Sequence, residues 1–167
     1  GERPMCAVVS GKSWESIESL SYLKPDGTVH RTPLQAIEMD LDQYPREAYH
    51  LVDFARYFPS VTSYRNLPAI NIIMTRGCPG TCTFCNSAMT VLRSKSPQSV
   101  FEQIYLLRYN YGIKQIQFYD DTFTVNKRGV LELCRLIREH NVDITFSCYV
   151  RGDCFNEEIA KALKSAG

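Results

Sequence analysis

The stretch Pro68–Cys85, "PAINIIMTRGCPGTCTFC", decides the fold. Its first half, "AINIIMT", is a short apolar run, the pattern of a buried strand. The second half is a loop carrying Cys78, Cys82 and Cys85 at the spacing Cys-x3-Cys-x2-Cys. Gly77, Pro79 and Gly80 let that backbone wrap closely around a bulky group.

Downstream the pattern repeats as strand and helix. "SPQSVFEQIYLLRYNYG" predicts a helix with Ser96 as N-cap, Pro97 in the first turn and Gly112 at its end. Its inner stripe is Val100, Ile104, Leu107 and Tyr111. "IKQIQFYDD" predicts a second strand, and "NKRGVLELCRLIREHN" a second helix with Val130, Cys134 and Ile137 inward. In "VDITFSCYV", Ile144, Phe146, Cys148 and Val150 share one face of a third strand, and Thr145, Ser147 and Tyr149 the other. "NEEIAKALKSAG" then opens a third helix with Asn156 as its cap. This β-α-β-α-β-α order predicts an α/β fold with a parallel sheet and right-handed crossovers. In such sheets the loops leaving the carboxyl ends of the strands build the site. The cysteine trio follows the first strand, Asp120 and Asp121 close the second, and Arg151 and Asp153 close the third, so the polar chemistry is expected on one rim.

Residues 1–66 have a different texture, rich in turn signals and tyrosine. "IESLSYLKPDGTVHR" alternates on both sides of Pro25-Asp26-Gly27 and predicts a hairpin. In "LDQYPREAYHLVDFARYFPS", Leu51, Phe54 and Phe58 fall on helical spacing, predicting a short helix stopped by Pro59. The organisation expected is a connector over 1–66 and a strand-helix domain over 67–167.

The chain has 167 residues, 44% hydrophobic and 22% charged, with a formal net charge of +1. That is enough for a buried core and gives no basic surface for a nucleic acid. No apolar run approaches bilayer-spanning length, and the N-terminus lacks the charged-apolar-small order of a secretory signal. The cysteine count is seven, an odd number with three crowded into one loop, so no disulfide framework is expected. The compartment read from this is reducing and cytoplasmic.

Three thiolates can hold three corners of a [4Fe–4S] cube and leave the fourth iron open to a substrate or cofactor. A structural zinc site or a ferredoxin cluster would need a fourth ligand. His30, His50 and His140 lie far from the trio in sequence, while Cys134, Cys148 and Cys154 remain as thiols that could supply one. Cys134 and Cys148 sit on predicted core faces and read as small buried hydrophobes.

"CPGTCTFC" resembles the Cys-x3-Cys-x-aromatic-Cys motif of the radical SAM superfamily. The resemblance implies a [4Fe–4S] cluster on Cys78, Cys82 and Cys85, with S-adenosylmethionine on the unique iron and its adenine beside Phe84. It implies reductive cleavage to a 5′-deoxyadenosyl radical, an electron donor such as flavodoxin or ferredoxin, and a small-molecule substrate. Asp120 and Asp121 occupy the place where that family meets the amino group or ribose of S-adenosylmethionine. One is expected to face the ligand and the other to cap the next turn. Arg151 is expected to clamp the cofactor's carboxylate or to pair with Asp153.

Together with "SLSYLKPDGTVHRTP", "LDQYPREAYHLVD", "IQFYDDTFTVNKRGV" and "CYVRGD", the motif resembles the cobalamin-binding radical SAM class, which includes anaerobic magnesium-protoporphyrin monomethyl ester cyclase and several methyltransferases. Radical methylation or oxidative cyclisation of an unactivated carbon is therefore expected, with cobalamin implied through a domain outside this chain. The chain is expected to be a fragment carrying the first three strand-helix units of the barrel, covered by missing sequence, a partner chain or self-association. The alternatives are a methylthiotransferase-like enzyme, disfavoured because residues 1–66 hold only Cys6, and a scaffold bearing zinc or a cluster without turnover.

Overall fold

A computed structural model describes residues 1–57, 59–60 and 62–167. The chain divides into two compact units, Gly1–Glu38 and Met39–Gly167. Residues 39–66, which share the texture of the first region, group with the strand-helix unit.

The first unit holds helix α1 (Glu2–Val9) and the predicted hairpin, β1 (Ser21–Leu23) and β2 (Val29–Arg31), antiparallel with Tyr22 opposite His30. Gly27 takes φ +82° in the turn, and Asp26 Oδ1 accepts from the Thr28 amide at 2.9 Å and hydroxyl at 2.7 Å. These are the roles a Pro-Asp-Gly turn assigns them. Helix α1 is not in the sequence reading. It has no capping side chain and buries no residue, so neither cap nor stripe announces it.

The second unit is built on a three-stranded parallel sheet in the order β3 (Ala69–Ile72), β6 (Gln115–Phe118), β7 (Thr145–Cys148). Between β3 and β6 lie a two-residue ladder, β4 (Thr75–Arg76) against β5 (Arg93–Ser94), and helix α2 (Pro97–Asn110). Helix α3 (Lys127–Glu139) joins β6 to β7, and α4 (Glu157–Ala166) follows. Ser96 and Asn156 cap α2 and α4 as predicted, accepting from the amides of Ser99 and Ile159, and Asn126 does the same for α3 at the Gly129 amide. Gly112 leaves α2 at φ +67°.

One face of the sheet carries Ile72, Ile116 and Phe118 into a core shared with Val100, Ile104 and Leu107 of α2 and Val130, Leu133, Cys134 and Ile137 of α3. Each such side chain taken fully out of water contributes about 1.5–3 kcal/mol. On the other face Asn71, Tyr119 and Tyr149 are exposed. The all-parallel sheet is therefore covered by helices on one side and polar on the other, the half-barrel arrangement expected from the order of elements.

Two local expectations are corrected. The predicted helix around Leu51 and Phe54 is two separate 3-10 turns, Tyr49–Leu51 and Phe54–Arg56. Val52 is extended between them, and the Asp53 carboxylate accepts from the Ala55 amide, starting a new turn instead of extending the old one. Tyr49 is buried and Leu51 is exposed, so the apolar spacing misassigned the inward residue; Phe58 lies outside the described residues. In the third strand, β7 ends at Cys148, and Val150 leaves the core face for solvent.

Candidate cofactor site at the cysteine loop

The loop between β4 and β5 carries the trio and is closed on itself. Thr75 pairs with Ser94 and Arg76 with Arg93 at its base. Above the base, the Thr90 amide donates to the Cys78 carbonyl at 3.0 Å, the Cys78 amide to Thr90 Oγ1 at 2.8 Å, and the Met89 amide to the Gly80 carbonyl at 2.8 Å. Gly77 makes the closure possible. It has φ +89°, and a Cβ there would collide with the backbone carbonyl of Val91.

Asp120 ties this base to the sheet. Its side chain is buried at the end of β6 and accepts from the Met74 amide at 3.1 Å and from the amide and hydroxyl of Thr75. Burial pushes its carboxyl above the usual carboxylate range, opposed by the hydrogen bonds from Thr75 and Met74. Asp120 thus serves the backbone of Met74 and Thr75 at the base of the cysteine loop, whereas the sequence leads one to expect a cap on the turn after β6. Asp121 is the exposed one, at the rim beside Thr122.

Within the loop Cys78 is buried, Cys82 half-buried and Cys85 exposed; the Phe84 ring is 92% exposed. The Gly80 amide donates to Cys78 Sγ at 3.4 Å, and Thr122 Oγ1 lies 3.7 Å from the same sulfur. Arg151, just past β7, places Nη1 3.5 Å from Cys82 Sγ. Its Nε and Nη2 are held by both carboxylate oxygens of Asp153, at 3.0 and 2.7 Å. The fork anticipated for a cofactor carboxylate is therefore engaged with Asp153, the pairing named as its alternative. That contact holds the Asp153 carboxyl down to about 2.

Cys78, Gly80, Thr122, Arg151, Asp153 and Cys154 line a cleft of about 200 Å³. Thr122 is not singled out by the sequence, and Cys154 only as one of three thiols that could supply a fourth metal ligand; neither is placed in this cleft by it. Their signal was position alone, since both follow the carboxyl ends of strands that feed this rim.

All seven cysteines are free. Among the described residues no three Cys, His, Asp or Glu side chains already stand as a metal-ligand group. The donor chemistry nonetheless fits an iron–sulfur cluster. The three thiols share one loop, an amide N–H already meets one sulfur, and a guanidinium that balances thiolate charge meets another. The other cysteines divide. Burial raises the thiols of Cys134 and Cys148 to about 11, as expected of small core residues, whereas Cys154 lies in the cleft. No described helix is long and apolar enough to cross a membrane.

The profile of the radical SAM superfamily matches residues 72–167. Over 96% of its length the chain is 34% identical to an uncharacterised methyltransferase of Pyrococcus horikoshii, covering 34% of that protein. Over 89% it is 26% identical to the anaerobic magnesium-protoporphyrin IX monomethyl ester cyclase of Synechocystis, covering 29% of it. The chain thus spans about a third of the length of these relatives. Among solved structures, the whole chain superposes with a TM-score of 0.74 and 19% identity on 35% of the radical S-adenosylmethionine methyltransferase TsrM from Kitasatospora setae, a structure with cobalamin and a [4Fe–4S] cluster bound.

Proposed function

The chain belongs to the radical SAM superfamily, and on that premise we propose that it is the cluster-bearing part of an enzyme that methylates or oxidatively cyclises an unactivated carbon. The observation that carries the reading is the placement of Cys78, Cys82 and Cys85 on one self-closed loop at the carboxyl end of the first parallel strand. A [4Fe–4S] cluster bound there would supply the one-electron reduction of S-adenosylmethionine on which hydrogen removal from an unactivated carbon depends.

The chain's own residues hold and orient the reactants. Cys78, Cys82 and Cys85 would hold the cluster as thiolates. Phe84, exposed in the loop, gives an apolar face for the adenine. Asp121, at the rim, accepts from the cofactor's ammonium or ribose hydroxyls. Asp120 and Gly77 keep the loop closed and anchored beneath them. Cobalamin would be brought by a domain outside this chain, and the electron by a flavodoxin- or ferredoxin-type donor. The relatives' names, a methyltransferase and a cyclase, support the pair of reaction types.

Anaerobic reconstitution with iron and sulfide tests the reading: the protein should take up about four irons. With S-adenosylmethionine and dithionite it should then release 5′-deoxyadenosine, measured by chromatography, and Cys82→Ala should abolish both. Cleavage that persists in Cys82→Ala would remove the site assignment. A non-catalytic zinc scaffold, which the position of Cys154 in the cleft keeps in view, would hold zinc, lose it on Cys154→Ala and cleave nothing.

A further inference from the structure

We propose that Arg151 is a positioning residue that faces the cluster's cysteines and sets how readily the site accepts an electron. The inference rests on the cluster reading above and deepens it. Three observations lead to it. The Asp153 carboxylate takes the Nε and Nη2 edge of the guanidinium, leaving Nη1 as the free end. That end is 3.5 Å from Cys82 Sγ. It also lies directly over Gly80, where a Cβ would collide with Nη1 and stand 3.2 Å from Cys78 Sγ. Unlike Gly77, Gly80 has no left-handed φ, so its missing side chain serves the approach of the guanidinium and not a turn.

The electrostatics give the sign. Reduction of a thiolate-held cluster takes one electron from an external low-potential donor and adds one negative charge spread over iron and sulfur. A guanidinium stays charged at any working pH, and its N–H at a ligand sulfur favours the more negative state. Asp153 offsets part of the charge, but it sits on the other edge and fixes the direction in which Nη1 points. Arg151 should therefore raise the reduction potential of the site. A carboxylate clamp would act on cofactor affinity instead.

The experiment is a potentiometric titration of the reconstituted protein without S-adenosylmethionine, followed by electron paramagnetic resonance, with dithionite as reductant. In Arg151→Gln the reduced-to-oxidised ratio at a fixed potential should fall about tenfold, equivalent to about 59 mV for a one-electron couple. Arg151→Lys should recover part of it. Gly80→Ala, which pushes Nη1 off the loop without removing the charge, should move the potential the same way by less. Wild-type potentials in cluster-loaded Arg151→Gln and Gly80→Ala overturn the inference. So does a loss of S-adenosylmethionine affinity in Arg151→Gln with its potential unmoved, which would restore the clamp. If one variant loads no iron, the other decides. Wild-type protein that loads no cluster fails the functional reading itself, a result distinct from a loaded cluster whose potential ignores Arg151.

Discussion

The sheet-and-helix frame and the cysteine loop are neighbours in one unit but are held by different physics. The frame is held by volume: Phe118, Ile116, Val100, Leu107 and Val130 are completely buried, and any apolar side chain of similar size would keep much of that stability. The loop buries little, with Phe84, Cys85 and Met89 open to solvent. It is held by a backbone conformation at Gly77, a few amide bonds, and the Asp120 carboxylate beneath it. The frame tolerates changes of chemistry that keep shape, while the loop tolerates neither kind at its few fixed points.

Gly77→Ala should expose that difference most strongly. The new Cβ meets the Val91 carbonyl, which is backbone and has nowhere to go, at a φ that alanine resists. The trio would open while the frame stays folded. Cofactor cleavage should fall about a hundredfold or more, since misplacements near 1 Å cost that much, and helical circular dichroism should hardly change. Unchanged cleavage would mean that the loop is not the working part. Phe118→Ala sets the opposite case. It removes a ring stacked on Phe123 at 4.2 Å in the core and should cost about 3–5 kcal/mol of stability. Iron uptake should survive below the lowered melting temperature.

The same division explains what the sequence disclosed. The three strand-helix units were legible because periodicity and caps are local signals, and Ser96, Asn156 and the stripes of α2 and α3 carry them in full. The trio was legible as a motif. The β4–β5 ladder below it was not, because a two-residue pairing across 16 intervening residues leaves no pattern. The roles of Asp120 and Asp121 were not separable either: adjacent carboxylates at a strand end look alike until alternation sends one inward. The failed helix near Leu51 shows the limit of spacing, since Asp53 capped a new turn where the apolar pattern asked for continuity.

Asp120 joins frame and loop, so its substitution tests whether they are separable. Asp120→Asn keeps an acceptor of the same shape but adds a donor facing the Met74 and Thr75 amides, in a buried place. The expected cost is about 1–3 kcal/mol, read in denaturant melts. Iron uptake should fall in the same variant. Stability lost without any effect on iron uptake would show that the loop closes independently of its anchor.

The smallest effect should come from the Arg151–Asp153 pair taken as a stability element. Both side chains are substantially open to water, 31% and 61%, so screening leaves the pair little net worth for folding. Its sign is nevertheless fixed. The Asp153 carboxyl is held down to about 2 from an ordinary 3.8. The contribution is therefore present above 3.8 and disappears as pH falls through about 2. Cluster-free wild type and Asp153→Asn should unfold at the same denaturant concentration near the lower pH and separate slightly above the higher one. The gap should close in high salt. A large gap would make the pair a structural strut and weaken the reading of Asp153 as the residue that aims Arg151 at the cysteines.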